Sequence, residues 1–278
     1  MKALFDELSR QVSKAITQKY STSFSIGILA LDTSIRPAIY AIYGYVRLAD
    51  EIVDSFHDYN KQLLLERFSE QTWQALDEGI SLNPVLQSFQ ETVRQYKIGK
   101  NLIEQFLRSM QMDLTPMDYN TERYKEYILG SAEVVGLMCL QVFVEGDEEA
   151  YSRLKPYAMK LGSAFQKVNF LRDLKDDYQI LGRTYFPNIE MGMFDNQIKT
   201  SIEEDIESEF REALIGIKKL PACSKFGVYL AYKYYLSLFK KIKRTPAQCI
   251  MKERIRIPNT QKLSLMMSSY LQYKMAVL

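Results

Sequence analysis

LGSAFQKVNFLRDLKDDYQILGRTYFP, residues 161–187, is the stretch whose reading decides the fold. Gln166, Asn169, Asp173 and Asp177 follow one another at spacings of three, four and four, so helical winding puts two amides and two carboxylates on one face. Their neighbours Ala164, Phe165, Val168, Phe170, Leu171 and Leu174 are apolar, which makes this a polar stripe set into a helix that is otherwise buried. A carboxylate in such a place must be paired, protonated or bound to a metal, because isolating its charge costs several kcal/mol.

RLADEIVDSF, residues 47–56, poses the same problem. Asp50 and Asp54 stand four apart among Ile52 and Val53, and like charges at that spacing repel by a few tenths of a kcal/mol. Each pair alone is ordinarily a solvated face with Lys or Arg partners. Two pairs on two apolar helices argue for a shared purpose. If the helices face each other across a cavity, Asp50, Asp54, Asn169, Asp173 and Asp177 form oxygen-only clusters without His or Cys, which suit Mg²⁺ better than zinc. Mg²⁺ is commonly bound by one or two carboxylates together with substrate phosphates, so the pattern predicts a phosphate or diphosphate substrate. Ser21 and Ser23 in YSTSFSIGIL, with Arg47, offer the hydroxyls and guanidinium that phosphate oxygens take. A turn or helix cap is the competing role for the serines.

The remaining sequence supplies the scaffold. Its 278 residues are 47% hydrophobic, enough for a sizeable core, and the net charge of +2 argues against general nucleic-acid binding. Cys139, Cys223 and Cys249 have no metal-ligand spacing and fit reduced thiols in the cytoplasm. The amphipathic N-terminus lacks the features of a signal peptide. VVGLMCLQVFV, residues 134–144, is shorter than the roughly 20 residues of a spanning helix and reads as a buried helix.

Helical periodicity begins near residues 3, 35, 60, 100, 121, 148, 200, 224 and 260, with almost no strand-like alternation, so the expectation is one all-α domain over 1–278. Thr121 and Asp147 read as helix starts, Ser201 to Glu204 as a capping box, and Pro84, Pro116, Pro187, Pro221, Pro246 and Pro258 as breaks. Acidic residues prevail from Asp195 to Glu212. Lys233 to Lys262 holds nine Lys or Arg and one Glu, which predicts either peripheral contact with an anionic membrane or a solvated face.

With these residues assembled, the chain resembles the squalene and phytoene synthase family of head-to-head prenyl synthases. YSTSF is similar to the family's early hydroxyl motif, AIYGYVRLADEIVD to its first aspartate motif, SAEVVGLM to its Ala, Val and Gly segment, and residues 161–187 to its second aspartate motif. The resemblance runs over essentially the whole chain. It implies a single isoprenoid-synthase helical bundle around a deep apolar cavity, with both aspartate motifs at the mouth. It implies that two prenyl diphosphates join through a cyclopropyl diphosphate, with two or three Mg²⁺ ions bound among Asp50, Asp54, Asn169, Asp173, Asp177 and the diphosphates. Ser21, Ser23, Arg47 and Gln166 fall where the family meets substrate, and Arg183 and Tyr185 where it closes the site. Tyr127 and Tyr234 align with tyrosines near the diphosphate or cation, with Tyr235 adjacent. His57 is the single histidine and reads as a positional coincidence. Met138, Cys139, Leu140, Phe143, Phe165 and Leu171 line either cavity or core.

Within the family the wording looks most like bacterial phytoene synthases of carotenoid pathways, which join two geranylgeranyl diphosphates without NADPH. Dehydrosqualene or squalene formation from two farnesyl diphosphates is the alternative; a non-catalytic assembly factor and an unrelated terpene cyclase are the readings from other classes. The expected location is the cytoplasm, with peripheral contact at the inner face of the membrane.

Overall fold

The computed structural model describes residues 1–115, 120–179, 185–187 and 194–274, and among these there is helix and no strand. The helices are α1 (Lys2–Tyr20), α2 (Thr22–Leu29), α3 (Arg36–Asp54), α4 (Lys61–Glu78), α5 (Pro84–Tyr96), α6 (Lys100–Met112), α7 (Thr121–Ile128), α8 (Val134–Phe143), α9 (Glu148–Gln179), α10 (Asn196–Lys218), α11 (Ala222–Lys243), α12 (Ala247–Ile250) and α13 (Asn259–Lys274). A π-turn, Leu129–Glu133, joins α7 to α8.

Local chemistry sets most of the boundaries. Asn60, Asn83 and Asn120 each accept a hydrogen bond from a backbone N–H of the first turn that follows, opening α4, α5 and α7. Pro84 sits at the first helical position of α5, where its missing N–H leaves no bond unmade. Gly79 ends α4 at φ +76°, and a Cβ there would fall 2.0 Å from the Arg94 guanidinium. Pro221 and Pro246 precede α11 and α12 as expected, and Asp147 accepts from the Ala150 N–H at 3.0 Å. Pro116 lies outside the described residues.

α7 starts at Thr121 as expected, with Asn120 as its cap, and one other expected start is corrected. The supposed capping box at Ser201 lies inside α10, which starts earlier because Asp195 accepts from the N–H groups of Gln197 and Ile198, both at 2.9 Å. α2 and α5 were not separated by periodicity. α2 is only eight residues long, with Thr22, Ser23 and Ser25 breaking its apolar spacing, while α5 buries polar Gln87, Ser88, Gln90 and Thr92.

α1, α3, α5, α6, α8, α9, α10 and α11 pack around the interior. One pole of the core centres on Tyr45, fully buried and stacked on Phe89 at 3.8 Å with Phe68 and Phe106 beside it. α1 reaches this core through small polar residues: Ser9, Ser13 and Thr17 are buried, Ser13 bonds Ser88 at 2.6 Å, and Leu4 and Leu8 face outward. Through the π-turn, α7 and α8 run on as one 23-residue stretch, Thr121–Phe143, whose most apolar 18-residue window has a mean hydropathy of 1.3. By length and composition the stretch is long and apolar enough to cross a membrane, but its N-terminal part is charged, and residues 134–144 form a helix that buries Val134, Leu137, Met138, Leu140 and Val142, as expected. In this fold it packs against α3, α6 and α9.

The revised start of α10 is directly measurable. Asp195→Ala should lower stability by about 1 kcal/mol, whereas Ser201→Ala should stay within about 0.5 kcal/mol of the parent in chemical denaturation.

Candidate active site

A cavity of about 780 Å³ lies within the bundle, and the two acidic helices meet on it. α9 carries Leu154, Ala158, Leu161, Phe165, Asn169 and Asp173 onto the same wall, the three-and-four spacing that one helix face requires. Asp50 and Asp54 reach the cavity from the last turn of α3. Ser21, Ser23, Arg47, Gln166, Asp177, Tyr127, Tyr185 and Tyr234 line it as well, so the described residues singled out in the sequence converge on one place. Arg183 lies outside the described residues. His57 is exposed, 3.0 Å from the Lys61 ammonium, and does not line the cavity.

Charge concentrates at one end. Burial and then the nearby charge of Asp54 push the Asp50 carboxyl up to about 7, against the opposing pull of Arg47. The Arg47 guanidinium lies 4.5 Å from the centre of the Tyr20 ring and pairs with Glu51, and its Nε–H is buried without a partner among the described residues. Asp173 is bonded by Arg172, with Nε–Oδ1 at 2.9 Å, and by Arg254 at 2.8 Å; Arg254 also approaches Asp176 at 4.0 Å. Asp50, Asp54, Asn169, Asp173 and Asp177 present oxygen ligands, yet no three acidic, His or Cys side chains among the described residues form a metal cage by themselves.

Next to the carboxylates stands an aromatic collar. Tyr235 stacks on Phe165 at 3.8 Å and donates to Asn169 Oδ1 at 3.3 Å, and Phe24 leans on Tyr235 and Tyr43. Burial pushes the Tyr235 phenol up to about 12, so it stays a neutral donor. Tyr234 also lines the cavity, but Tyr235 is the ring that touches Asn169 and Phe165. Beyond the collar the wall is apolar. Cys139, Leu140, Phe143 and Phe165 line cavity, while Met138 and Leu171 are core. Ser21 serves twice, lining the site and capping α2 through Phe24 N–H at 3.2 Å.

Sequence reasoning missed Asp113. It accepts from the Tyr127 hydroxyl at 2.8 Å and from Tyr185 at 3.2 Å, holding those stacked rings together at the cavity edge. A lone Asp at the C-cap of α6 carries no spacing signal. Arg254, Tyr20 and Tyr43 were missed because their partners are remote in sequence, and Arg172 because a charge beside Asp173 does not by itself point into a site.

The profile of the squalene/phytoene synthase family matches residues 17–261. Phytoene synthase of Arthrospira platensis is 25% identical over 92% of this chain and 90% of its own length. The 4,4'-diapophytoene synthase of Staphylococcus haemolyticus (strain JCSC1435) is 26% identical, covering 72% of this chain and 69% of the relative. A dehydrosqualene synthase solved in complex with a ligand superimposes with a TM-score of 0.83 over 97% of this chain and 98% of that one, at 21% identity, and so shares the fold.

Behind the cavity wall, α9 is clamped to α10 by charge. Buried Lys167 bonds Glu209 at 2.9 Å and also Asp205, and Ser163 donates to Glu209 at 2.9 Å. Burial opposes the Lys167 charge, but Glu209 and Asp205 outweigh it and raise its pKa. Glu133, at the end of the π-turn, is lifted from 4.5 to about 7, first by burial and then by the charge of Glu209. The folded chain therefore keeps a proton there between about 4.5 and 7 that the unfolded chain has lost, and stability falls as pH rises through that window. Glu133→Gln should stabilise the protein at pH 8 by about 1–2 kcal/mol, allowing for partial exposure, and by nothing at pH 4, as urea titrations at the two pH values would show.

Proposed function

The chain belongs to the squalene/phytoene synthase family of head-to-head prenyltransferases, and we propose that it condenses two geranylgeranyl diphosphates to phytoene in carotenoid biosynthesis. The observation that carries this reading is the sequence of surfaces along one cavity: carboxylates and arginines at one end, an aromatic collar next, and apolar wall beyond.

The donor set fits Mg²⁺. All candidate ligands are oxygens, and burial, then the charge of Asp54, raises the Asp50 carboxyl against the pull of Arg47, so a divalent cation would find two close carboxylates to bind. Asp50 and Asp54 on one helix, with Asn169, Asp173 and Asp177 on the other, would hold the ions, and substrate diphosphate would complete their shells. Bound there, Mg²⁺ supplies the charge that lets diphosphate leave. Arg47, with its unpartnered buried Nε–H, is placed to take a diphosphate oxygen, and Ser21 and Ser23 add hydroxyls. Departure of the first diphosphate leaves an allylic cation beside Phe24, Tyr43, Phe165 and Tyr235, whose ring faces favour positive charge. Attack by the second chain's alkene and loss of a proton give a cyclopropyl diphosphate. Loss of the second diphosphate, rearrangement and a further proton loss give the hydrocarbon. The apolar wall keeps out water, which would quench each cation.

The longer substrate is supported by reach. From Asp173 to Leu154 the lining face of α9 extends about 28 Å at 1.5 Å per residue, whereas four extended isoprene units span about 20 Å and three about 15 Å by ordinary bond lengths. The Arthrospira platensis relative, a phytoene synthase, supports the same choice. The diapophytoene synthase likeness keeps farnesyl diphosphate as the second reading.

Purified protein with Mg²⁺ and geranylgeranyl diphosphate should yield a C40 hydrocarbon by mass spectrometry. Asp173→Asn should reduce it on the order of a hundredfold or more, the scale of losing a group that stabilises developing charge. A C30 product from farnesyl diphosphate alone would change the substrate and keep the chemistry. Full turnover by the Asp173→Asn protein would overturn the mechanism.

A further inference from the structure

The Arg47 guanidinium is held by a ring from another helix. Tyr20 is the last residue of α1 and half-exposed, yet it lines the cavity, and the guanidinium lies over its ring, 4.5 Å from the centre. The corner that carries the ring is tied down. Ser21 N–H donates to the Thr17 carbonyl at 2.9 Å, the Ser21 hydroxyl accepts from Phe24 N–H at 3.2 Å, and Ser25 donates to the Ser21 carbonyl at 2.7 Å, so α1 turns into α2 across one residue. Arg47 has competing attractions along its own helix. Glu51 pairs with it from the next turn, and Asp50 stands three residues on. Burial opposes the Arg47 charge, and the charge of Asp50, followed by the bond to Glu51, outweighs it. A long side chain set among such carboxylates has several places to point, and fixing one of them costs rotamer entropy.

An aromatic ring meets that need in a way that a further carboxylate would not. It attracts the guanidinium without accepting one of its strong hydrogen bonds, so the N–H groups remain for Glu51 and for phosphate oxygens. Building on the prenyl diphosphate reading, we propose that Tyr20 is a positioning residue, whose ring holds the Arg47 guanidinium at the acidic end of the cavity in the orientation that meets the substrate diphosphate. Without the ring, Arg47 is released toward Asp50 and Asp54, where it opposes the binding of a cation. A cation–π contact of ordinary strength multiplies the population of the held orientation about fivefold, and its loss weakens apparent diphosphate affinity by the same factor.

The test reads binding, independently of turnover, with inorganic diphosphate as the probe. The full-length protein with Mg²⁺ is titrated calorimetrically. Tyr20→Leu should lower diphosphate affinity about fivefold, and Tyr20→Phe, which keeps the ring, should restore it to within about twofold of the parent. In an Arg47→Gln background Tyr20→Leu should make no further difference, because the ring acts through the guanidinium. Tyr20→Gln replaces the leucine variant if that loses its fold, with the same expectations. A folded Tyr20→Leu or Tyr20→Gln protein with parental affinity overturns the proposal, and so does a fivefold loss that persists in the Arg47→Gln background, which would put the ring on the ligand itself. If the parent shows the coupling but makes no hydrocarbon from prenyl diphosphates, the proposed reaction falls and the positioning role stands. If it makes hydrocarbon and the ring variants bind diphosphate as the parent does, the positioning role falls and the reaction stands. A parent that does not bind diphosphate overturns both.

Discussion

Carboxylates held at the edge of an apolar cavity are the constraint around which this bundle is arranged. Such groups are tolerated only with counter-charge or a proton close by. Both solutions are present. Asp173 takes Arg172 and Arg254, while Asp50, crowded by Asp54, is driven toward its protonated form. The arginines that neutralise Asp173 are also groups that bind phosphate oxygens.

Keeping that charge at a fixed distance from the apolar depth falls to α9. It is 32 residues long, and a single lining face bears Asp173 toward one end and Leu154 toward the other. Its other side is tied down. Gly162 lies so close to the π-turn that a Cβ would approach the Ala132 carbonyl oxygen at 2.7 Å, and Gly136 of α8 similarly nears Ala158. Lys167, adjacent in sequence to cavity-lining Gln166, points the opposite way into Glu209 and Asp205 on α10. Buried ion pairs of this kind are weak sources of net stability. Their value here is register, because a slide of α9 against α10 would strand the Lys167 charge. The acidic run that stood out in α10 is explained by the same packing, since Lys167 and Lys243 meet it from α9 and α11.

The sequence revealed what depends on periodicity within a single helix. Asp50 with Asp54, and Gln166, Asn169, Asp173 and Asp177, could be placed on their faces because three-and-four spacing is a local property of the backbone. Helix class, most boundaries and the oxygen-only character of the site followed from that information, and the family resemblance added Tyr127 and Tyr185. A boundary failed where a second cap stood upstream, as Asp195 before Ser201.

Everything that depends on two helices meeting was decided by the tertiary structure. Asp113 joins the site because α6 ends where Tyr127 and Tyr185 converge; Arg254 joins it because the segment after α12 returns to α9. Neither has a local pattern to announce it. Whether Phe165 faces cavity and Leu171 faces core, and which ring packs against Gly216, is likewise fixed by packing. Spacing along a chain determines which side of a helix a residue occupies. What that side confronts is determined by the other helices, through close packing that no single segment encodes.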